Sequence, residues 1–189
     1  MICDIIRRSL RCCVKRKHYL LSCDSGEDGS TERCTVYLLD GLEVNISLQT
    51  PATGKHALTA ALRQLDISDN SDYFGLQFVD RNRDFRWLDP VGEVRKQLKH
   101  LEPPYALYFR MRFYVPEPHQ VVEELMRYHI FLQVKDDVLA GRLVPAQRQC
   151  IDMCAYAVQS ELGDFDAGMI IFLHSYIPVI IKNQQMGSI

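Results

Sequence analysis

The sequence has little that would mark a catalyst, a secreted protein or a membrane-spanning one. It contains no Gly-x-x-x-x-Gly-Lys-Ser/Thr phosphate loop, no Gly-x-Ser-x-Gly elbow, no His-Glu-x-x-His zinc helix and no Gly-x-Gly-x-x-Gly dinucleotide turn. Nor is there a charge excess: the net charge of −2 gives bulk electrostatics no reason to hold nucleic acid. Cysteine is missing from residues 35 to 149, and the total of seven is odd, which points to free thiols in a reducing compartment rather than a disulfide framework. The amino terminus meets Arg7 and Arg8 before any useful apolar run, so no secretory signal is expected, and a Met-Ile start excludes amino-terminal myristoylation. The apolar run Met169–Ile181 has 13 residues and is interrupted by His174, Ser175 and Pro178. At about 1.5 Å per residue it reaches only two thirds of a hydrocarbon core that takes about 20 residues to span. With 10 Gly, 8 Pro and 47% hydrophobic residues in 189, the chain is neither fibrous nor disordered as a whole, and holds one medium domain or two small ones.

What is present is uneven. Residues 1 to 18 carry six basic side chains (Arg7, Arg8, Arg11, Lys15, Arg16, Lys17) against Asp4 alone, a balance of +5 that leaves −7 for the remainder. Residues 1 to 33 read as a basic leader followed by a polar, aperiodic stretch with no stable core. From Cys34 the pattern alternates: Val36, Leu38, Val44, Ile46 and Leu48 share a face on either side of Asp40-Gly41, a hairpin signal. Ala57, Leu58, Ala61, Leu62 and Leu65 then recur at helical spacing. Two short strands follow, at 73–79 and 86–88, then a short helix or turn in 91–101 and a strand over 105–113 with Leu107, Phe109, Met111 and Phe113 inward. The order β-β-α-β-β-(short helix)-β is that of a ubiquitin-like β-grasp. Pro116-Glu-Pro118 marks a boundary, beyond which helical stripes run through Val122, Leu125, Met126, His129 and Phe131, through Val134, Val138 and Leu139 to Gly141, and through Cys150, Met153, Cys154, Ala157, Val158 and Leu162. Helices this few look like the beginning of a bundle.

Seven stretches carry a family resemblance: Cys34-Thr-Val-Tyr-Leu-Leu-Asp-Gly41, Asp72-Tyr-Phe-Gly-Leu76, Trp87-Leu-Asp-Pro90, Arg112-Phe-Tyr114, Glu123-Glu-Leu-Met-Arg-Tyr128, Leu132-Gln-Val-Lys-Asp-Asp-Val-Leu-Ala-Gly-Arg-Leu143 and Val158-Gln-Ser-Glu-Leu-Gly-Asp-Phe-Asp166. Together, over about residues 33 to 167, they resemble the FERM domain of the band 4.1 superfamily, in its band 4.1-like branch. The resemblance implies an α+β fold: a ubiquitin-like first lobe at 34–115, then a partial all-α, acyl-CoA-binding-protein-like second lobe at 116–168. The family pattern is expected to break at Gly168, leaving 169–189 as a divergent hydrophobic tail, as from alternative splicing or an imperfect gene model. The third, pleckstrin-homology-like lobe is expected to be absent. What the family implies in function is an adaptor at the cytoplasmic face of the plasma membrane or at cell junctions, linking membrane-protein tails to the cortical actin cytoskeleton through cytoskeletal proteins. A truncated competitor for first-lobe partners is the second reading. A third is a fragment of a FERM-containing tyrosine phosphatase, whose nucleophile sits in His-Cys-x5-Arg; no His-Cys occurs here.

The sites that follow are non-catalytic. Arg7, Arg8, Arg11, Lys15, Arg16 and Lys17 form a candidate lipid-contact cluster, worth on the order of 1 kcal/mol per basic residue near anionic lipid. Cys12 and Cys13 beside them are candidate acylation sites, supplying the second signal that stable anchoring needs. Cys150 and Cys154 share a helix face but lack the further ligands of a structural zinc site, so they read as small core residues. Trp87, Tyr73, Phe74 and Phe78 read as core. Lys96, Lys99 and His100, and Arg110 with Arg112, read as solvated basic faces. No catalytic residue, metal, cofactor, small-molecule substrate or nucleic-acid partner is expected.

Overall fold

Period-two alternation builds the first hairpin. The structure, a computed structural model, describes residues 31–67 and 71–162. In it β1 (Thr31–Tyr37) and β2 (Glu43–Gln49) pair antiparallel, with Cys34 opposite Ile46 and Val36 opposite Val44. Cys34, Val36, Leu38, Val44, Ile46 and Leu48 are accordingly buried on one face. Residues 38–42 form the loop. Gly41 takes φ +80°, a conformation that favours glycine, and the Asp40 carboxylate accepts the Leu42 N–H at 3.0 Å.

Helix α1 (Gly54–Gln64) lies against β2 and β3 (Phe74–Val79) through Ala57, Ala61 and Leu62, and Leu65 just beyond its end is also buried. Its first amide groups have no partner within the helix. The loop at 90–92 supplies two: Gly54 N–H donates to the Gly92 carbonyl at 3.0 Å and Lys55 N–H to the Pro90 carbonyl at 2.9 Å. This approach needs glycine at 54, since a Cβ there would sit 2.2 Å from the Asp89 carbonyl oxygen. β4 (Phe85–Trp87), the single turn α2 (Val94–Gln97) and β5 (Tyr105–Met111) complete the first unit.

The sheet order is β2-β1-β5-β3-β4. β1 and β5 are parallel, Val36 beside Leu107, and the other pairs are antiparallel. A five-stranded mixed sheet with one helix across it is a β-grasp. Its core is Val36, Leu65, Phe74, Val94, Leu98 and Leu107 with Phe109, whose ring stacks on Phe74 at 4.8 Å. Each such side chain contributes about 1.5–3 kcal/mol on leaving water.

Two expectations fail here. β5 ends at Met111, and Phe113, expected inward, is 61% exposed because the chain leaves the sheet before the alternation reaches it. Val122 precedes its helix and is exposed rather than part of the stripe.

The described residues fall into two compact units, 31–115 and 116–162. The second opens with a 3-10 turn at Pro118–Gln120, then α3 (Glu124–Leu139) and α4 (Gln147–Leu162). The two stripes expected on either side of residue 132 belong to one continuous helix, α3, buried around its circumference from His129 to Val134. Gly141, at φ +72°, ends the turn that follows it. Arg142 then folds back, its Nε 2.7 Å from Asp137 Oδ1 and its other nitrogen on Asp136. On α4, Cys150 and Met153 are buried and Cys154, Ala157 and Val158 half-buried, which is the expected stripe.

Candidate functional site

The face of the sheet opposite α1 carries an unusual concentration of rings and guanidinium groups. Inward positions on β3 and β5 are Phe74, Leu76, Phe78 and Leu107, Phe109, Met111, so Gly75, Gln77, Val79, Tyr108 and Arg110 face outward. Register places Tyr37 beside Tyr108, Tyr108 opposite Gln77, and Gln77 opposite Trp87. Along that row the rings meet. Tyr37 stacks on Tyr108 at 5.5 Å, and Phe85 meets Tyr108 edge-on at 5.1 Å. Arg110 lies 5.8 Å over the Tyr108 ring.

Arg112 sits between two rings, its Cζ 5.6 Å from the centroid of Trp87 and 5.6 Å from that of Phe113. Gly75 makes the arrangement possible. A Cβ at that position would be 2.7 Å from Arg112 Cδ and 2.8 Å from Trp87 Cζ3, so both side chains lie on bare backbone. Arg112 is anchored through its own amide, which donates to the Tyr73 carbonyl at 2.8 Å, while no carboxylate among the described residues pairs with its guanidinium.

This corrects the reading of Trp87 as core: it is 40% exposed, and its neighbour Phe85 is 57% exposed. Phe74 and Phe78 are core as expected, and Tyr73 is half-buried. The parity of β4 was the available signal, because Leu88 is buried and adjacent strand residues point to opposite faces. Arg110 and Arg112 are likewise more than a solvated pair, since both lie along aromatic faces. Lys99 is exposed; Lys96 pairs with Glu93 at 2.7 Å; His100 is half-buried beside Phe78.

A polar turn supports the β3–β4 edge. The Asp80 carboxylate accepts the amides of Asn82 (2.8 Å) and Asp84 (3.0 Å) and Arg86 Nε at 2.6 Å. The Arg86 hydrogen bond, then the backbone amides, hold the Asp80 pKa below its ordinary value. At the opposite side of the unit, Glu32 is buried, and burial pushes its pKa up against a weaker lowering by the Thr50 hydroxyl, 3.4 Å away.

The cysteines are quiet. Cys34, Cys150 and Cys154 are free thiols; burial, then Glu32, pushes Cys34 to about 12, and burial with neighbouring Cys150 pushes Cys154 to about 11. Neither is a thiolate nucleophile at neutral pH. Among the described residues there is no cluster of three His, Cys, Asp or Glu side chains fit to hold a metal, and no helix long and apolar enough to cross a membrane. Arg7, Arg8, Arg11, Lys15, Arg16, Lys17, Cys12 and Cys13 lie outside the described residues, as does the run Met169–Ile181.

A β-grasp unit followed by a helical unit is the arrangement of the first two lobes of a FERM domain. Comparison with known proteins agrees: the FERM N-terminal domain matches residues 36–100 and the FERM central domain residues 116–185. The chain belongs to the FERM-domain family of the band 4.1 superfamily.

Human tyrosine-protein phosphatase non-receptor type 4 is 42% identical over 134 residues, covering 70% of this chain and 14% of that protein. Human band 4.1-like protein 4A is 39% identical over 140 residues, covering 70% of this chain and 20% of that protein. The chain thus spans a fifth or less of these relatives. Among solved structures, the FERM and C-terminal domain complex of Drosophila Merlin superimposes with a TM-score of 0.63 at 26% identity, over 72% of this chain and 46% of that one. The central-domain match runs through residue 185 and so takes in the hydrophobic run beyond Gly168.

Proposed function

We propose that the chain is a non-catalytic adaptor at the cytoplasmic face of the plasma membrane, connecting membrane-protein tails with the cortical cytoskeleton. The observation that carries this reading is the consecutive match to both FERM domains, on a β-grasp followed by helices. The lobes are assigned to 34–115 and 116–168 after a leader at 1–33, although β1 begins three residues earlier, at Thr31, where residues 31–33 pair with β2. Arg7, Arg8, Arg11, Lys15, Arg16 and Lys17 make the lipid contact, through a +5 balance within 18 residues. Acylation of Cys12 or Cys13 would add a second anchor. The break assigned at Gly168 falls inside the central-domain match; a transcript sharing residues 1–168 and differing afterwards supports it, and a single uninterrupted exon across that point removes it.

Sedimentation with vesicles tests the leader. The full chain is expected to pellet with phosphatidylserine vesicles and to remain in solution with neutral ones, and deletion of residues 1–18 or added salt should release it. Binding that survives the deletion contradicts the assignment.

A second reading is favoured by the 42% identity to the human phosphatase: the FERM lobes would serve as the targeting part of a longer tyrosine phosphatase. The likeness lies in the FERM region, and this chain has no His-Cys-x5-Arg. A transcript of the same gene encoding that motif downstream would establish this second reading; a complete gene without it would dismiss it.

A further inference from the structure

We propose that the outer face of the first unit's sheet docks an acidic peptide segment, with a carboxylate on the Arg112 guanidinium and an adjoining apolar side chain on the exposed rings of Trp87, Phe85 and Phe113. The surface has the composition of an interaction hot spot, tryptophan, tyrosine and arginine in contact with one another rather than scattered. Single exposed apolar residues are ordinary; a contiguous group centred on a sheet is not.

The charge on this face selects the partner. Beside the rings of β4 and β5 the outward face carries Arg110, with Arg112 just beyond the strand, while the one acid at an outward strand position, Glu43, stands opposite Tyr37 on the edge strand β2; Arg33 lies at the other end of β1. Arg112 is pre-organised. Its Cζ lies 5.6 Å from the centroids of two rings, Gly75 leaves its stem room, and its guanidinium has no carboxylate among the described residues. A guanidinium fixed in this way loses little freedom on meeting a carboxylate, whose two oxygens match its fork.

The rings beside it call for an apolar side chain in the same ligand, which a peptide supplies. A lipid surface is the poorer fit, because phosphates need several protruding cations, whereas Arg110 and Arg112 lie along ring faces. Two copies joined face to face would bring like-charged arginines together.

This inference deepens the adaptor reading and rests on it only for its setting. Vesicle sedimentation interrogates the leader, and the experiment below interrogates the sheet, so either can fail without the other.

Trp87 is the chain's single tryptophan, so intrinsic fluorescence reports from within the site. The full chain is titrated with a soluble peptide of alternating Glu and Leu, with the Gln-for-Glu peptide, and with phosphatidylserine vesicles. A saturable blue shift of Trp87 emission with the Glu peptide is expected, weakened by salt and by about tenfold in Arg112→Ala, the loss of one well-placed charged contact. Arg112→Lys keeps the charge and stem but loses the fork, and should bind between the two; it also stands in if the alanine variant fails to fold by circular dichroism. Equal binding of the Gln peptide, undiminished binding by the folded variants, no saturable response, or a response to vesicles alone each overturns the proposal. So does a Trp87 shift on dilution of the protein alone, which would mean a second copy occupies the face.

Discussion

At the scale of single residues, Gly75 decides the state of Trp87. A Cβ at 75 would come within 2.8 Å of Arg112 Cδ and Trp87 Cζ3, and both of those side chains can move into solvent. Gly75→Val is therefore expected to raise the quenching of Trp87 by acrylamide while shifting the thermal midpoint by no more than about 4–8 °C, the effect of roughly 1 kcal/mol. A second expectation concerns Glu32. Its folded pKa lies above its ordinary value of 4.5, so the folded state favours the protonated carboxyl. The cost is absent at pH below 4.5, grows as pH rises through the raised value, and is constant above it. Glu32→Gln should thus melt higher than the parent at pH 7, with the difference vanishing at acid pH; a constant difference across the titration would assign the effect to packing.

Among elements, the contact between α1 and the loop at 89–92 is the sharpest. Gly54→Ala drives a Cβ into the Asp89 carbonyl oxygen and separates two backbone hydrogen bonds, for an expected loss of about 1–3 kcal/mol in chemical denaturation. Leu107→Ala, on the central strand β5, should cost about 2–5 kcal/mol. Arg142→Ala removes a half-exposed guanidinium from its pairs with Asp136 and the less exposed Asp137 and should cost about 0–1 kcal/mol.

These elements differ in how readable they were. The hairpin and α1 are amphipathic, so period and face follow directly from Val36, Val44, Ile46 and from Ala57, Ala61, Leu62. β4 has only Phe85, Arg86 and Trp87, too short for alternation to declare a face without Leu88 as reference. The single helix α3 presents two separate stripes in sequence because residues 129–134 are buried on every side, which erases the periodicity between them.

For the whole molecule, motif order is the strongest signal, since the seven motifs run in the order of the two FERM domains matched at 36–100 and 116–185. The aromatic–arginine face was not legible as a site. Its residues come from β1, β3, β4 and β5 and from residues after β5, and only the register brings Tyr37, Gly75, Trp87, Tyr108 and Arg112 together. The basic leader, by contrast, is legible once residues 1 to 18 are counted apart from the near-neutral total.

The most direct test of the adaptor reading is recruitment of the full chain to neutral vesicles bearing a tethered, acidic membrane-protein tail, where the leader has no anionic lipid to bind. Retention on tail-bearing but not bare vesicles, with loss in Arg112→Ala, is the expected result. Equal retention on both, or none on either, would contradict it.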